Sequence, residues 1–367
     1  MIYAITISLS VLFAWCSGIS KGISKQIFLF LAILLPAIIW GVRSTLMGVD
    51  VQLYAEPIWN ISQNLTKFDY THTQFENSIE KGYLVLNFLL SRVFKDIHWL
   101  FFILSFISCF SVLYTFTKSE YSKKAWLGYA FYLLIFFPTT INLVRQGFAM
   151  SLLVPAYLAL FYKKWKSFFA FVIIAALFHN SALIALSSPL IYLVLKNKDG
   201  RIRQYILAII LLAATFGWQF ITPYILLIND KYEIYLNNTF KPHFTIFSLV
   251  NVPFIIFFLK KYRTFKKKCD YFSLEVFFLI AGTITSQLGW IAAVYMARVA
   301  LPYNYFILFA PMMLMQWIKQ EKNDWTSKFF QFGLALFATT YFFLWFYING
   351  VDCVFPYKSE ILDQLLE

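Results

Sequence analysis

Long apolar segments alternate with short basic clusters along this 367-residue chain. A helix of about 20 apolar residues spans the hydrocarbon core of a bilayer, so runs of this kind indicate membrane helices. The pattern predicts an all-α polytopic membrane protein with about 11–12 transmembrane or half-membrane helices. The apolar segments lie at about 2–20, 27–42, 97–117, 125–139, 147–162, 167–178, 181–195, 205–227, 246–259, 272–293, 300–318 and 329–347.

The amino-acid composition agrees with a membrane protein. Hydrophobic residues make up 60% of the chain and charged residues 13%, whereas soluble domains carry about 25% charged residues. The first apolar segment has no preceding basic region and no clear cleavage site, which favours a retained helix over a signal peptide. The four cysteines are scattered, so we expect no disulfide and no zinc site. No metal or cofactor is implied by any motif.

The basic clusters between the apolar segments set the expected topology. If one side of the membrane takes them all, it holds 21 Lys and Arg against 6 Asp and Glu, and the other side holds 10 against 12. By the positive-inside rule the first side is cytoplasmic, and both termini then face outward. The net charge of +13 therefore reflects topology and indicates no nucleic-acid surface. The clusters are Lys21/Lys25, Lys118/Lys123/Lys124, Lys163/Lys164/Lys166, Lys196/Lys198/Arg201/Arg203, Lys260 to Lys268 and Lys319/Lys322/Lys328.

The segment between Lys166 and Lys196 does not fit a single crossing. One helix of that length would be ~43 Å long and would invert the topology of everything after it. We therefore predict a pair of short helices at about 167–195, broken near His179–Ser181, that enters the membrane and returns. Irregular backbone at that depth is tolerated only where protein buries it or water fills a cavity. The break thus indicates a site.

Three isolated polar residues are expected at matching depth near the outer face. Arg145 lies 18 residues before the next basic cluster, or ~27 Å along a helix. His179 lies 13 residues after a basic cluster, ~20 Å, and Arg298 lies 21 residues before one, ~31 Å. Charges inside membrane segments are costly and usually functional.

The segments expected outside the membrane carry further candidates. The long loop at 43–96 contains Asp50, Tyr54 and Glu80, and its apolar part near 83–93 predicts an interfacial helix. A second outer loop carries Tyr232 and Tyr235, and the C-terminal tail carries Tyr357. We expect the whole chain, residues 1–367, to form a single integral membrane domain.

Seven short motifs occur in a characteristic order along the chain. They are G-x-D-x-x-x-Y from Gly48, E-K-G-Y from Glu80, R-Q at Arg145, F-H-N-S-A-L around His179, K-Y-E-I-Y-L from Lys231, M-A-R-V-A-L-P-Y-N-Y-F around Arg298, and P-Y-K from Pro356. This order resembles the EpsG family, which belongs with the Wzy-type polymerases of bacterial surface polysaccharides. The resemblance spans roughly residues 43–358.

The resemblance implies an activity, an architecture and partners. The activity is the joining of oligosaccharide repeat units carried on undecaprenyl diphosphate, at the outer face of the bacterial plasma membrane, for an O-antigen, capsule or exopolysaccharide. The architecture is a membrane glycosyltransferase of the GT-C kind. The partners are the lipid-linked oligosaccharides and the bilayer, together with a chain-length regulator and a flippase.

The candidate residues suit that chemistry. Departure of a lipid diphosphate needs positive charge, and arginine binds phosphate oxygens bidentately, so Arg145 is the expected ligand at a helix N-terminus. The acceptor sugar hydroxyl needs a base, which is His179 or one of the carboxylates of Asp50 and Glu80. The expected substrate-binding residues are Gln146, Arg298, Tyr54, Tyr232, Tyr235 and Tyr357. The tyrosines are included because aromatic faces stack on sugars.

Other interpretations stay open at this point. Arg145 and Arg298 could anchor helices by reaching the headgroups, and His179 could make a purely structural hydrogen bond between helices. A lipid-linked oligosaccharide flippase would place its site near the midplane, often with symmetric helix breaks. A ligase that moves a finished glycan to another acceptor would use the same arginines.

Overall fold

A computed structural model describes residues 2–195, 209, 246–269, 271–291, 294–321 and 324–366. Its regular elements in these ranges are all helical, and seven helical stretches are long and apolar enough to cross a membrane. This confirms the prediction of an all-α polytopic membrane protein. The seven stretches are Ile2–Ile19, Gly22–Gly41, His98–Lys118, Ser122–Ile141, Val144–Phe161, Arg298–Lys319 and Trp325–Ile348.

The predicted apolar segments correspond to observed helices wherever the chain is described. The apolar segment at 205–227 lies outside the described residues except for residue 209. In the described ranges the α-helices are α1 Ile2–Ile19, α2 Gly22–Gly41, α3 Glu56–Asn64, α4 Lys81–Val93, α5 His98–Lys118, α6 Ala125–Phe131, α7 Val144–Phe161, α8 Trp165–Ala176, α9 Ser187–Leu195, α10 Val252–Lys260, α11 Tyr262–Lys268, α12 Phe272–Ile291, α13 Val294–Asn304, α14 Ala310–Glu321, α15 Asp324–Phe342 and α16 Glu360–Leu366.

Shorter helical turns join these α-helices. After α6 the chain continues as a π-helical turn, Tyr132–Phe136, and a 3-10 helix, Phe137–Ile141, which contains Pro138. Proline has no backbone N–H to donate, so a regular α-helix is not continued there. Another 3-10 helix, Asn180–Leu186, follows α8, and His179 lies in the turn between the two.

The chain divides into two compact units. The first unit contains Met1–Ala159, Trp165–Ala182 and Pro311–Glu367, and the second contains Leu160–Lys164 and Leu183–Ala310. The single integral domain expected from the sequence stays a prediction, as do the GT-C-like architecture and the orientation in the membrane.

Helix α7, of which 144–159 belongs to the first unit, is the most deeply buried of the seven long apolar stretches. In this helix 83% of the apolar stretch is buried, against 33% in α1 and 22% in α2. Helix α2 lies between α1 and α5 and contacts both of them. The hydroxyl of Ser111 on α5 donates to the carbonyl of Ser151 on α7 at 3.0 Å, and Tyr129 on α6 donates to the carbonyl of Ala32 on α2 at 3.0 Å. Buried polar side chains therefore join helices that are otherwise apolar.

The second unit is held by aromatic stacking and one amide network. The rings of Phe161 and Tyr271 stack at a centroid distance of 3.9 Å. Asn251 donates to the side-chain carbonyl of Asn304 at 3.1 Å, and Asn304 donates to the Ser286 hydroxyl at 2.7 Å. These hydrogen bonds connect α12 and α13 with Asn251, which directly precedes α10.

Candidate functional site

The G-x-D-x-x-x-Y motif places Asp50 and Tyr54 at the polar end of the first unit. A side chain at Gly48 would come within 2.4 Å of the Ile141 carbonyl oxygen, and Gly48 has a φ of +94°, so only glycine allows this close approach. The chain then makes a π-helical turn, Val51–Ala55, and the Tyr54 hydroxyl donates to the Asp50 carboxylate at 2.9 Å. The motif therefore packs against Ile141 and Asn142, which precede α7.

An asparagine before α7 joins two parts of this region. The backbone N–H of Asp50 donates to the side-chain carbonyl of Asn142 at 3.2 Å. The amide of Asn142 in turn donates to Asp352 at 3.0 Å. The C-terminal segment after α15 is therefore connected to the same polar end as Asp50.

Arg145 lies in the first turn of α7 and forms an ion pair with Glu80. The guanidinium also lies over the ring of Tyr54, 4.4 Å from its centroid, in a cation–π contact. Only 14% of the Arg145 side chain and 11% of the Glu80 side chain are exposed. A pair this well shielded from water interacts more strongly than a surface ion pair, which typically contributes ~0–1 kcal/mol.

The turn that carries His179 is held by Glu80 and by Gln146. Glu80 uses its second carboxylate oxygen to accept the backbone N–H of Asn180 at 3.0 Å. The Gln146 amide, one residue after Arg145, donates to the Ser181 hydroxyl at 3.0 Å. A side chain at Gly82 would come within 2.5 Å of the Leu177 carbonyl oxygen, so glycine lets α4 approach the end of α8 closely. The break between α8 and the next helix therefore docks on Glu80 and Gln146.

The hydrogen bonds of His179 define its tautomer. Its Nδ1 atom lies 2.7 Å from the Ser181 hydroxyl and accepts the backbone N–H of Ser181 at 3.2 Å. An imidazole nitrogen that accepts an N–H carries no proton, so the neutral ring carries its proton on Nε2. In this arrangement Nε2 is a hydrogen-bond donor, which suits contact with an anion or a sugar oxygen better than removal of a proton.

Six of the candidate residues thus form one connected cluster, called the RQ–HNS cluster below. It consists of Asp50, Tyr54, Glu80, Arg145, Gln146 and His179, together with the bridging Ser181. Residues that are 35 to 100 positions apart in sequence meet at this one place. The cluster contains an arginine, two carboxylates and an imidazole, which can bind an anion and move a proton.

The other candidates lie elsewhere or outside the described residues. Tyr357 donates its hydroxyl to the Ile39 carbonyl at 2.8 Å and stacks edge-on against Tyr3 at 5.3 Å. Arg298 is half-buried on α13, in the second unit. Tyr232 and Tyr235 lie outside the described residues. Roles for these four residues stay predictions.

Arg43 is a buried cation that the sequence patterns did not single out. It follows α2 and is 2% exposed, and its guanidinium lies 4.5 Å from the centre of the Phe101 ring. Its Nε and Nη1 atoms are buried without a hydrogen-bond partner among the described residues. The nearby cavity, lined by Ser105, Ser108 and Thr140 among others, measures about 10 Å³, close to the minimum for one water.

Burial changes the acidity of several groups around the cluster. It lowers the pKa of Arg43 to about 10, which still leaves the guanidinium charged at neutral pH. Burial raises the pKa of Tyr54 well above its usual value, and the neighbouring Asp50 adds to the rise. Burial likewise raises the pKa of Tyr83. Both tyrosines therefore stay neutral, and both interact electrostatically with Arg43 and Arg145.

The fold and the cluster define a class: a multi-pass, all-helical membrane protein with a partly buried arginine–carboxylate–histidine cluster at one end of its helices. Residues 26–359, nearly the whole chain, match the model of the EpsG family. The chain therefore belongs to the EpsG family, a family of Wzy-type polysaccharide polymerases. No curated protein and no solved structure matches the chain.

Proposed function

We propose that this protein polymerises oligosaccharide repeat units that are linked to undecaprenyl diphosphate, and that it does so at the outer face of the plasma membrane. Membership in the EpsG family supports a polysaccharide polymerase in general. The observation that carries the finer proposal is the RQ–HNS cluster, in which Arg145, Glu80 and the His179 turn meet.

The position of the cluster supports an outward-facing site. It gathers the N-terminal end of α7, the C-terminal end of α8 and the loop after α2. Basic clusters lie at the opposite ends of these helices: Lys21/Lys25 at the start of α2, and the cluster at 163–166 where α7 ends and α8 begins. Since the positive-inside rule assigns such clusters to the cytoplasm, the RQ–HNS cluster is assigned to the other side. No nucleotide-activated sugar is available there, so a lipid diphosphate is the fitting donor.

Arg145 is the proposed diphosphate ligand. A guanidinium binds two phosphate oxygens in parallel, and the N–H groups of the first turn of α7 also favour an anion. In the structure Glu80 forms an ion pair with this guanidinium. The diphosphate would replace the Glu80 carboxylate on Arg145 and so release Glu80 beside the reacting sugars.

The released Glu80 is the proposed base. The oxygen of the acceptor hydroxyl forms a bond to the anomeric carbon of the donor sugar, and Glu80 takes the hydroxyl proton. The bond between that carbon and the phosphate oxygen breaks, and its electron pair leaves with the lipid diphosphate, whose charge Arg145 stabilises. His179 donates a hydrogen bond from Nε2 to the substrate, and Asp50 holds Tyr54 under the guanidinium.

Purified protein and a lipid-linked repeat unit provide the direct test. Wild-type protein in detergent, supplied with a chemically defined undecaprenyl-diphosphate-linked repeat unit, should give a ladder of glycans and free undecaprenyl diphosphate. In cells, deletion of the gene should leave surface glycans of a single repeat unit on a gel. Absence of any repeat-unit product on the outer surface would instead indicate a flippase, and unligated polymer would indicate a ligase.

A further inference from the structure

The first unit contains an apolar groove that the RQ–HNS cluster does not use. It measures about 560 Å³ and lies between α1, the segment beginning with α6, and α15. Small side chains form its floor on two helices, among them Ala4 and Ser8 on α1 and Ala335 and Ala338 on α15. Trp15 and Trp126 close the end near the basic residues that follow α1 and precede α6.

The opposite end of the groove leads to the cationic region. Phe342 lines the groove and also packs edge-on against Tyr3, with ring centroids 6.4 Å apart. Tyr3 in turn contacts Tyr357 edge-on at 5.3 Å. The charge of Arg43 interacts electrostatically with both of these tyrosines and with Tyr54, over whose ring Arg145 lies. Ring contacts therefore lead from the groove through Tyr3 to Tyr357, and Arg43 is close enough to interact electrostatically with both tyrosines.

We propose that this groove binds the polyprenyl chain of the lipid-diphosphate substrate. The inference rests on the proposed function, because that function supplies a substrate with a diphosphate head and a long branched hydrocarbon tail. The groove follows α1 from Ala4 to Trp15, a length of ~17 Å at 1.5 Å per residue. A tail lying in it would run parallel to the membrane helices and would leave its diphosphate at the end where the arginines are.

The lining matches a branched hydrocarbon rather than a sugar. Among the described residues that line the groove there is no Asp, Glu, Lys or Arg, and the polar side chains are those of Ser8, Gln331 and Thr339. Branched prenyl methyl groups fill irregular space beside alanines, whereas glycans need hydrogen-bonding and charged groups that this surface lacks. A straight phospholipid acyl chain is the competing occupant, and the first experiment below distinguishes it by the mass of the bound molecule.

Photocrosslinking from within the groove tests occupancy without any need for turnover. Benzoylphenylalanine would replace Leu12, which lines the groove, and in a matched protein Leu9, which is exposed on the same helix but does not line it. Radiolabelled undecaprenyl diphosphate should label the Leu12 position at least about five-fold more than the Leu9 position. Equal labelling of both positions, or a Leu12 adduct with the mass of a phospholipid, would overturn the proposal.

Filling the groove tests its use by the substrate. Ala335→Trp places an indole in the groove, and Ala170→Trp makes the same change at an exposed position on α8 that does not line it. Each variant would be assayed with one glycan on an undecaprenyl chain and on a chain of two isoprene units. We expect Ala335→Trp to raise KM about ten-fold for the long-chain substrate only, and Ala170→Trp to behave like wild type for both.

The outcomes separate this inference from the proposed function. If the wild type makes polymer but Ala335→Trp matches Ala170→Trp on the long-chain substrate, the groove proposal is wrong and the polymerase proposal stands. If the wild type makes no polymer while the Leu12 position is selectively labelled, the polymerase proposal fails and the groove remains a polyprenyl site. A KM increase of the same size for both substrates would show a general defect and would also count against the groove.

Discussion

Two buried arginines at the same end of the first unit differ in how their charge is balanced. Arg145 is paired with Glu80, lies over Tyr54, and belongs to a cluster that also holds the His179 turn. Arg43 lies over Phe101 and has tyrosines, but no carboxylate among the described residues, as its electrostatic neighbours. Tyr54 and Tyr83 interact with both guanidinium groups.

This difference suggests different roles for the two charges. An anion that binds Arg145 must displace a carboxylate, so binding there is coupled to the release of Glu80. Arg43 offers a positive charge with no competing acid, but its buried guanidinium has no room beside it for more than a water. We therefore expect Arg145 to contact the diphosphate directly and Arg43 to act on it through the electrostatic field.

Glu80→Gln should have the largest effect on turnover. The amide keeps the size of the side chain and its contact with the Asn180 N–H, but it cannot take a proton. Loss of a general base typically costs about 10²–10⁴ in rate. The measurement is kcat for polymerisation of the lipid-linked repeat unit, with Glu76→Gln in the same loop as the control because Glu76 is exposed. A kcat within two-fold of wild type would exclude Glu80 as the base.

Arg145→Lys comes next in expected size. Lysine keeps the charge but loses the planar fork that binds two phosphate oxygens. Removal of one such transition-state contact costs about 10²–10³ in rate. Arg92→Lys is the matched control, since Arg92 donates to the Ser62 and Leu65 carbonyls on the same unit and pairs with no carboxylate among the described residues. If Arg145→Lys yields wild-type chain lengths at equal protein levels, Arg145 is only a headgroup anchor.

His179 is expected to have a smaller effect, and its two substitutions should differ. If Nε2 donates to the substrate, His179→Ala loses a hydrogen bond to a charged or polar group, worth about 10–100-fold in rate. His179→Gln keeps an N–H donor and should recover part of that loss, and His72→Gln in the exposed loop serves as the control. Equal losses of 10²-fold or more in both variants would restore His179 as the base.

The helices of this protein could be predicted from the sequence because lipid imposes a simple rule. Apolar segments such as 2–20 and 97–117 became helices within a few residues of their predicted ends, since backbone groups in hydrocarbon must be satisfied within the segment. The family resemblance was also readable, because its motifs lie in order along the chain, and the family match now confirms it.

The partners within the cluster could not be predicted in the same way. Hydrogen bonds such as Glu80 to Asn180 join residues 100 positions apart, and only packing determines which loops meet. The bridging hydroxyl of Ser181 and the link from Asn142 to Asp352 had no sequence signal stronger than a polar residue beside an apolar run. Arg43 has no distinguishing sequence signal, because an arginine after an apolar segment usually anchors a helix at the interface.

Arg43→Met is expected to give the smallest change in activity. Its effect on thermal stability should differ most clearly from that of the same substitution at Arg145. Burial lowers the pKa of Arg43 to about 10 in the folded protein, below the usual value for arginine. The charged guanidinium therefore destabilises the folded protein at every pH below about 10, and this cost fades as the pH rises from about 10 towards the usual pKa of arginine. Methionine of similar volume removes the cost at neutral pH.

Arg43→Met should accordingly leave the thermal midpoint in detergent unchanged or raise it by a few degrees, because replacing an uncompensated buried charge with an apolar side chain is often neutral or stabilising. Arg145→Met should lower the midpoint, since it leaves the Glu80 carboxylate without its cation, and breaking a buried pair costs about 3–5 kcal/mol. If Arg43 contributes only a field at the diphosphate, Arg43→Met should also lower kcat/KM about 3–10-fold. A midpoint for Arg43→Met as low as that of Arg145→Met would mean that Arg43 is also paired with an anionic group in the folded protein. The proposed difference between the two arginines would then be wrong.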